Sequence, residues 1–265
     1  KISSFLKSNR VSCCIFYNSI NIYKKLKIAQ LEYSFKLLEI YHSDFTWADS
    51  MALVENHDVD CLIKVDENVG KNIKTKRVEI CRVPIDFKKF KPSDKDFSKK
   101  VFCLNDSKNI GVISRISKEK NLKYIVKLAV ALKDYNFFIV GDGVGRDSLQ
   151  KLINSKNIKN IKILGWISDV SKIISGFDAV ILPSRMEGTP ISILEAMSSN
   201  ISSWCYNVGG CKTLIENGAN ELTLCEELDS KNIKNSLGKN VNTRDYVISN
   251  HNNILIADKL RSILD

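Results

Sequence analysis

Two carboxylates separated by seven residues, Glu187 and Glu195, are the pair in this chain best placed for chemistry. Glu187 lies in the loop Ser184-Arg185-Met186-Glu187-Gly188-Thr189-Pro190, which follows the apolar run Ala179–Leu182. That run reads as a buried strand, and the residues after the loop read as an amphipathic helix. Thr189 is placed as the helix N-cap and Pro190 as its first residue. A strand that passes through such a loop into a helix aims free backbone N–H groups above the sheet, where anions and sugar or phosphate oxygens bind well. A carboxylate in the same place accepts hydrogen bonds from the paired hydroxyls of a sugar. A solvated loop Glu and a helix-face Glu would give the same pattern, so the surrounding residues must decide.

The run from Glu187-Gly-Thr-Pro190 to Leu194-Glu195-Ala-Met197 resembles the Glu-(seven residues)-Glu signature of the retaining glycosyltransferases of family four, the glycosyl transferases group 1. The resemblance extends over most of the chain and is strongest from Val83 to Gly210. It implies an α/β fold of two Rossmann-like parallel-sheet domains, called GT-B. It also implies transfer of a sugar from a nucleoside diphosphate donor to a hydroxyl acceptor with retention of configuration. On this resemblance Glu195 is expected to bind the ribose diol. Glu187, with the backbone of Gly188, Thr189, Pro190 and Ile191, is expected to hold the donor sugar.

The stretch Gly111-Val-Ile-Ser-Arg115-Ile-Ser-Lys-Glu-Lys120 resembles the family's phosphate-binding segment, which makes Arg115 and Lys120 the expected diphosphate ligands. A guanidinium can fork two phosphate oxygens, and Lys supplies a mobile point charge. Fixed cations also stabilise the charge that collects on a departing phosphate. Ser114 and Asn121 stand where the family usually has Gly, and neither removes a charge. Ile167, in Leu164-Gly165-Trp166-Ile167, matches the loop that meets the base. His42, closing the apolar run Leu37–Tyr41, matches the family's N-domain His near the reacting carbon. His42 and Glu187 are therefore the catalytic candidates.

Other motifs are set aside. Gly141-Asp142-Gly143-Val144-Gly145-Arg146 is not a dinucleotide fingerprint, because Arg146 occupies the third glycine position. It is assigned to a turn. An epimerase or dehydrogenase would also need Tyr-x-x-x-Lys, and Tyr246 is followed by Asn250. His57-Asp58-Val59-Asp60 looks like the metal-binding Asp-x-Asp of the other glycosyltransferase fold, but it precedes a strand instead of ending one. It is read as structural, and neither metal nor cofactor is expected. His251 is expected on the exposed face of a terminal helix.

Strands and helices alternate along the chain, as in parallel sheets with helical crossovers. The spacing predicts strands at 11–17, 35–41, 61–65 and 78–82, with helices at 20–33, 46–57 and 68–72. A second series predicts strands at 109–114, 136–140, 161–164, 179–182 and 202–206. One long helix is expected from Thr243 to Leu264. The domains are read as 1–90, a partial N-terminal Rossmann-like domain on the acceptor side; 91–100, a charged linker; 101–240, the nucleotide-sugar-binding domain; and 241–265, a helix crossing back. The first domain is short for the family and holds a single glycine, Gly70, so the chain reads as beginning in mid-domain.

A net charge of +10 implies an anionic partner. No basic segment is interleaved with aromatics, which argues against nucleic acid. The expected partners are a nucleoside diphosphate sugar and a saccharide or lipid-linked acceptor, with lysine-rich patches available for a peripheral membrane contact. Eight cysteines without metal-ligand spacing, several in apolar runs, fit a reduced cytoplasmic compartment, with peripheral attachment at the inner membrane face as a variant. The expected role is in polysaccharide, lipopolysaccharide or glycolipid synthesis. The competing expectation is a truncated, inactive relative that only binds nucleotide-sugar or serves in a complex.

Overall fold

The computed structural model describes residues 1–44, 50–104, 108–217, 222–224, 230–236 and 242–264. The chain forms two compact units, Lys1–Val83 with Ile254–Asp265, and Pro84–Asn253. In the first unit, strands β1 (Cys13–Tyr17), β2 (Lys36–Tyr41), β3 (Cys61–Lys64) and β4 (Val78–Ile80) pair in parallel in the order β1-β2-β3-β4. Helices α1 (Ile2–Ser8) and α2 (Ile20–Gln30) cover one face, and the last helix, α11 (Asn253–Leu264), covers the other. Helix α2 starts where Ser19 accepts a hydrogen bond from the Ile22 amide at 3.3 Å, and it buries Leu26 and Ala29 against Phe16. Alternation along β2 sends Leu37 and Tyr41 to the α1–α2 face and Leu38 to the α11 face.

Glu39 follows Leu37 to the first of these faces, where burial of a carboxylate requires a partner. His57 is that partner. Its Nδ1 lies 2.6 Å from Glu39 Oε2, and its Nε2 faces the carbonyls of Val54 at 2.8 Å and Met51 at 3.1 Å. Burial alone would lower the His57 pKa. The bond and charge of Glu39, joined by the two carbonyls, overcome this and raise it. A raised folded-state pKa contributes stability that is complete below the ordinary value of about 6.5 and is lost as pH climbs through the folded value. The melting temperature is therefore expected to fall as pH rises above about 6.5, and His57→Gln to flatten that slope. A flat wild-type profile in calorimetry would contradict the paired state.

The second unit repeats the alternation on a larger scale. Its strands are β5 (Lys108–Ile113), β6 (Tyr135–Val140), β7 (Ile161–Gly165), β8 (Ala179–Leu182), β9 (Ser202–Tyr206) and β10 (Leu222–Leu224). Its helices are α3 (Lys95–Val101), α4 (Lys123–Ala131), α5 (Arg146–Ser155), α6 (Ser171–Ile174), α7 (Ile191–Ser198), α8 (Gly210–Glu216), α9 (Ser230–Ser236) and α10 (Arg244–Asn250). All the strand pairs are parallel, in the order β10-β9-β8-β5-β6-β7. The chain thus runs outward from β5 through β6 to β7, then returns to the other side of β5. That reversal is the switch point of a doubly wound sheet, where a crevice opens beyond the carboxyl ends of the strands. Separate apolar cores fill the two faces, one around Phe177, Leu194 and Met197, the other around Ile125, Leu128 and Phe137.

Several local expectations are corrected. The stretch 91–100 carries α3, capped by Asp94, whose carboxylate accepts from the amides of Asp96 and Phe97. The boundary between the units falls instead at Val83 and Pro84. The lysines of 91–100 suggested a solvated linker, but Lys95, Lys99 and Lys100 stand on α3, which buries Ser98. Of the helix expected over 46–57, a single 3₁₀ turn at Met51–Leu53 forms, and 45–49 lie outside the described residues. Residues 68–72 form turns. The long C-terminal helix is two helices broken at His251, which is buried at the end of α10 instead of exposed. Among the described residues no helix is long and apolar enough to cross a membrane. Cys225 lies outside the described residues.

Candidate active site

At the switch point the structure opens a cavity of about 460 Å³. Its wall comes entirely from the second unit. It combines the loop after β5 (Ser114, Arg115, Lys120), the turn after β6 (Gly141, Asp142), the loop after β7 (Trp166 to Ser168) and the loop and helix after β8 (Glu187, Thr189 to Ser192, Glu195). The volume suits a nucleotide-sized ligand. Backbone bonds join these loops: the Ser114 amide donates to the Val140 carbonyl at 3.1 Å, the Gly141 amide to Gly165 at 2.8 Å, and the Arg185 amide to Glu119 at 2.9 Å. Gly141 has φ of +139°, and a side chain there would overlap the Ser114 carbonyl. The turn after β6 is therefore a close backbone approach, as its glycine content suggested.

Lys120 and Glu187 meet inside this cavity. Their charged atoms are 2.6 Å apart, and their side chains are 15% and 8% exposed. At that burial the pair carries weight that a surface ion pair does not. Lys120 closes a short 3₁₀ turn, Lys118–Lys120, and the chain leaves it at Asn121, which takes a left-handed conformation with φ of +52°. Asn tolerates that conformation better than most side chains, which explains how it stands where the family usually has Gly. Glu187 is backed by Gly209, whose φ is +48° and whose added Cβ would overlap the Glu187 carbonyl. The neighbouring Gly210 amide donates to the Gly188 carbonyl at 2.8 Å.

Arg115 is the exposed member of the set. Its side chain is 70% exposed, and its one ion pair among the described residues is with Glu119 at 3.4 Å. The Ser117 hydroxyl donates to the same Glu119 oxygen. Glu195 stands on α7, and its carboxylate makes no hydrogen bond or ion pair among the described residues. Burial pushes its pKa up to about 7, with the charge of Lys89 pulling weakly the other way. A half-buried carboxylate without a partner is suited to accept hydrogen bonds from a ligand diol.

The loop beyond β8 departs from the expected cap. Helix α7 begins at Ile191 with Pro190 as its N-cap, and the Thr189 hydroxyl is buried without a partner among the described residues. The Ile191 amide donates to the Thr189 carbonyl at 3.0 Å, and Pro190 has no N–H to offer. Of the four backbone positions expected to meet the sugar, only Gly188 and Thr189 keep amides free of partners among the described residues. Ile167 lines the cavity beside Trp166, a residue 78% exposed. The sequence reading passed over Trp166, although a tryptophan in the loop after a strand was itself a signal. His42 follows β2 in the first unit, exposed, with its ring stacked on Tyr17 at 5.5 Å between centroids. Among the described residues no group of three or more His, Cys, Asp or Glu could hold a metal ion.

This geometry can be set beside known proteins. Residues 94–263 match the family described as glycosyl transferases group 1. An α-1,3-galactosyltransferase of Escherichia coli, which uses UDP-Gal and α-D-GlcNAc-diphosphoundecaprenol, is 25% identical over 246 residues, covering 83% of this chain and 62% of that protein. The alpha-D-kanosaminyltransferase of Streptomyces kanamyceticus is 34% identical over 124 residues, covering 44% of this chain and 32% of its own. The chain thus spans between a third and three fifths of these curated relatives. Among solved structures, sucrose-phosphate synthase from Thermosynechococcus elongatus superposes with a TM-score of 0.84 at 17% identity, over 99% of this chain and 75% of that one. Anabaena HepE in complex with UDP gives 0.84 at 18% identity, over 99% and 80%. These likenesses establish the two-sheet GT-B fold. With the family match covering more than half of its length, the chain belongs to the glycosyl transferases group 1.

Proposed function

We propose that this chain handles the donor in a retaining, metal-independent glycosyltransferase that moves a sugar from a nucleoside diphosphate to a hydroxyl of a saccharide or lipid-linked acceptor. The observation that carries the reading is the convergence of Arg115, Lys120, Glu187 and Glu195 on one cavity at the switch point of the sheet. Arg115 and Lys120 hold the diphosphate. Glu195 takes the ribose hydroxyls, and Ile167 with Trp166 faces the base. Glu187 and the amides of Gly188 and Thr189 hold the sugar. His42 is assigned to the reacting centre as the family resemblance implies.

In the transfer the bond from the sugar's anomeric carbon to the diphosphate breaks, and a bond to the acceptor oxygen forms on the same face. The acceptor's proton passes to the departing phosphate oxygen. The two cations stabilise the charge that gathers there, which is the contribution a metal ion makes elsewhere. The relative that acts on a diphosphoundecaprenol-linked sugar supports a lipid-linked acceptor and a place in polysaccharide or glycolipid synthesis. Such an acceptor would bring the chain to the inner membrane face, where its net charge of +10 favours anionic headgroups.

A screen of UDP-, GDP-, ADP- and dTDP-sugars for hydrolysis in excess chelator tests the proposal. Release of nucleoside diphosphate from one donor class, unchanged by chelator, is expected. Activity that vanishes with chelator and returns with magnesium or manganese would overturn metal independence. The donor groups named above all line a cavity walled by the second unit alone, which favours a second reading, a nucleotide-sugar binder without turnover. Binding of a donor with no hydrolysis or transfer would select it.

A further inference from the structure

The contact between Lys120 and Glu187 has a consequence for how a nucleotide leaves. Resting on the donor-site reading above, we infer that Glu187 competes with the nucleotide's terminal phosphate for Lys120, and so discriminates against the sugar-free nucleoside diphosphate. The two groups are 2.6 Å apart and largely withdrawn from water, so each is the other's compensating charge. A ligand phosphate that draws Lys120 away leaves a buried carboxylate needing new donors. A nucleotide carrying its sugar supplies them, because sugar hydroxyls donate to the carboxylate as the phosphate takes the ammonium. A nucleotide without its sugar supplies none. Once the sugar has been transferred, Glu187 loses its donors and reclaims Lys120, which weakens the hold on the departing product.

The backbone makes this a matter of side chains alone. The loop bearing Glu187 is fixed from behind by Gly209 and by the bond from the Gly210 amide to the Gly188 carbonyl. It is fixed to the loop bearing Lys120 by the bond from the Arg185 amide to the Glu119 carbonyl. With both loops tied, the exchange needs only the flexible lysine stem to swing between carboxylate and phosphate. Arg115 is exposed and its contact with Glu119 is longer, at 3.4 Å, so it binds phosphate in either state. Substitution at Glu187 is therefore expected to move the two nucleotides in opposite directions.

The test is calorimetry on the full chain with UDP, GDP, ADP and dTDP, followed by the glucose conjugate of whichever binds most tightly. Glu187→Gln, nearly isosteric, is expected to tighten the free diphosphate at least threefold and to weaken the sugar conjugate at least threefold. Glu187→Ala should give the same two directions if the Gln variant melts without cooperativity. Arg115→Ala is the control for the site itself and should weaken both ligands about equally. If Arg115→Ala has no effect, the donor-site reading fails and this inference with it. If Arg115→Ala weakens binding while both Glu187 variants leave the free diphosphate unchanged or weaker, the site stands and the competition is refuted.

Discussion

Replacing Lys120 by alanine is expected to reduce donor turnover by about 10²-fold or more, the largest single effect at this site. Two losses combine. The leaving phosphate loses a fixed cation at the moment its charge develops. Glu187, with a side chain 8% exposed, is left without its compensating charge, a change that costs about 3–5 kcal/mol where such pairs are buried. Part of that penalty is relieved because the carboxylate lines an open cavity that water can enter. Lys120→Met keeps the length of the stem and should lose nearly as much, which separates charge from packing. Steady-state donor hydrolysis is the readout. A loss of less than threefold in both variants would mean that Lys120 is a structural partner of Glu187 and nothing more.

Gly209→Ala carries the second large effect, although Gly209 touches no proposed ligand. Its backbone is left-handed, with φ of +48°, and an added Cβ would overlap the Glu187 carbonyl. Backbone strain of this kind costs about 1–3 kcal/mol, and relief requires the loop of Glu187 to move. For a chain of this size each kcal/mol lowers the melting temperature by about 2–4 °C. The variant should therefore melt several degrees lower and bind the nucleotide-sugar more weakly, while the free diphosphate, held also by Arg115, is less affected. Wild-type melting and wild-type donor affinity together would show that the 209–210 turn does not position Glu187.

The sequence made the second unit legible and the first much less so. In residues 108–206 apolar-rich strands alternate with helices, so local and tertiary preferences agree. Arg115, Lys120, Glu187 and Glu195 were named from the resemblance of their motifs to the family's, and the loops after the parallel strands bring them together at the switch point. The misses have physical causes. Asp94 looked like one more charge in a solvated stretch, yet its carboxylate caps α3. Thr189 and Pro190 satisfied the rules for a helix start one residue too early, because Pro190 closes the loop with ψ of +79° and α7 begins after it. The Lys120–Glu187 contact spans 67 residues of chain, and nothing local announces a pair of that kind. His57 was legible only as structural. Its partner Glu39 sits in mid-strand, where alternation alone could not say that a carboxylate pointed inward.

The claim on which everything else depends is that the cavity is a nucleotide site with Glu195 at the ribose. Burial holds the Glu195 pKa at about 7, so the carboxylate is mostly ionised at pH 8 and mostly protonated at pH 6. Only the ionised form offers all its acceptor positions to the two ribose hydroxyls. Calorimetric titration of wild type and Glu195→Gln with the tightest-binding nucleoside diphosphate, at both pH values, isolates this group from the titration of the ligand's own phosphate. At pH 8 wild type should bind more tightly by about 1.5–3 kcal/mol, roughly ten- to a hundredfold, and the gap should shrink severalfold at pH 6. Equal affinities for the two proteins at both pH values would contradict the assignment of this cavity to the donor.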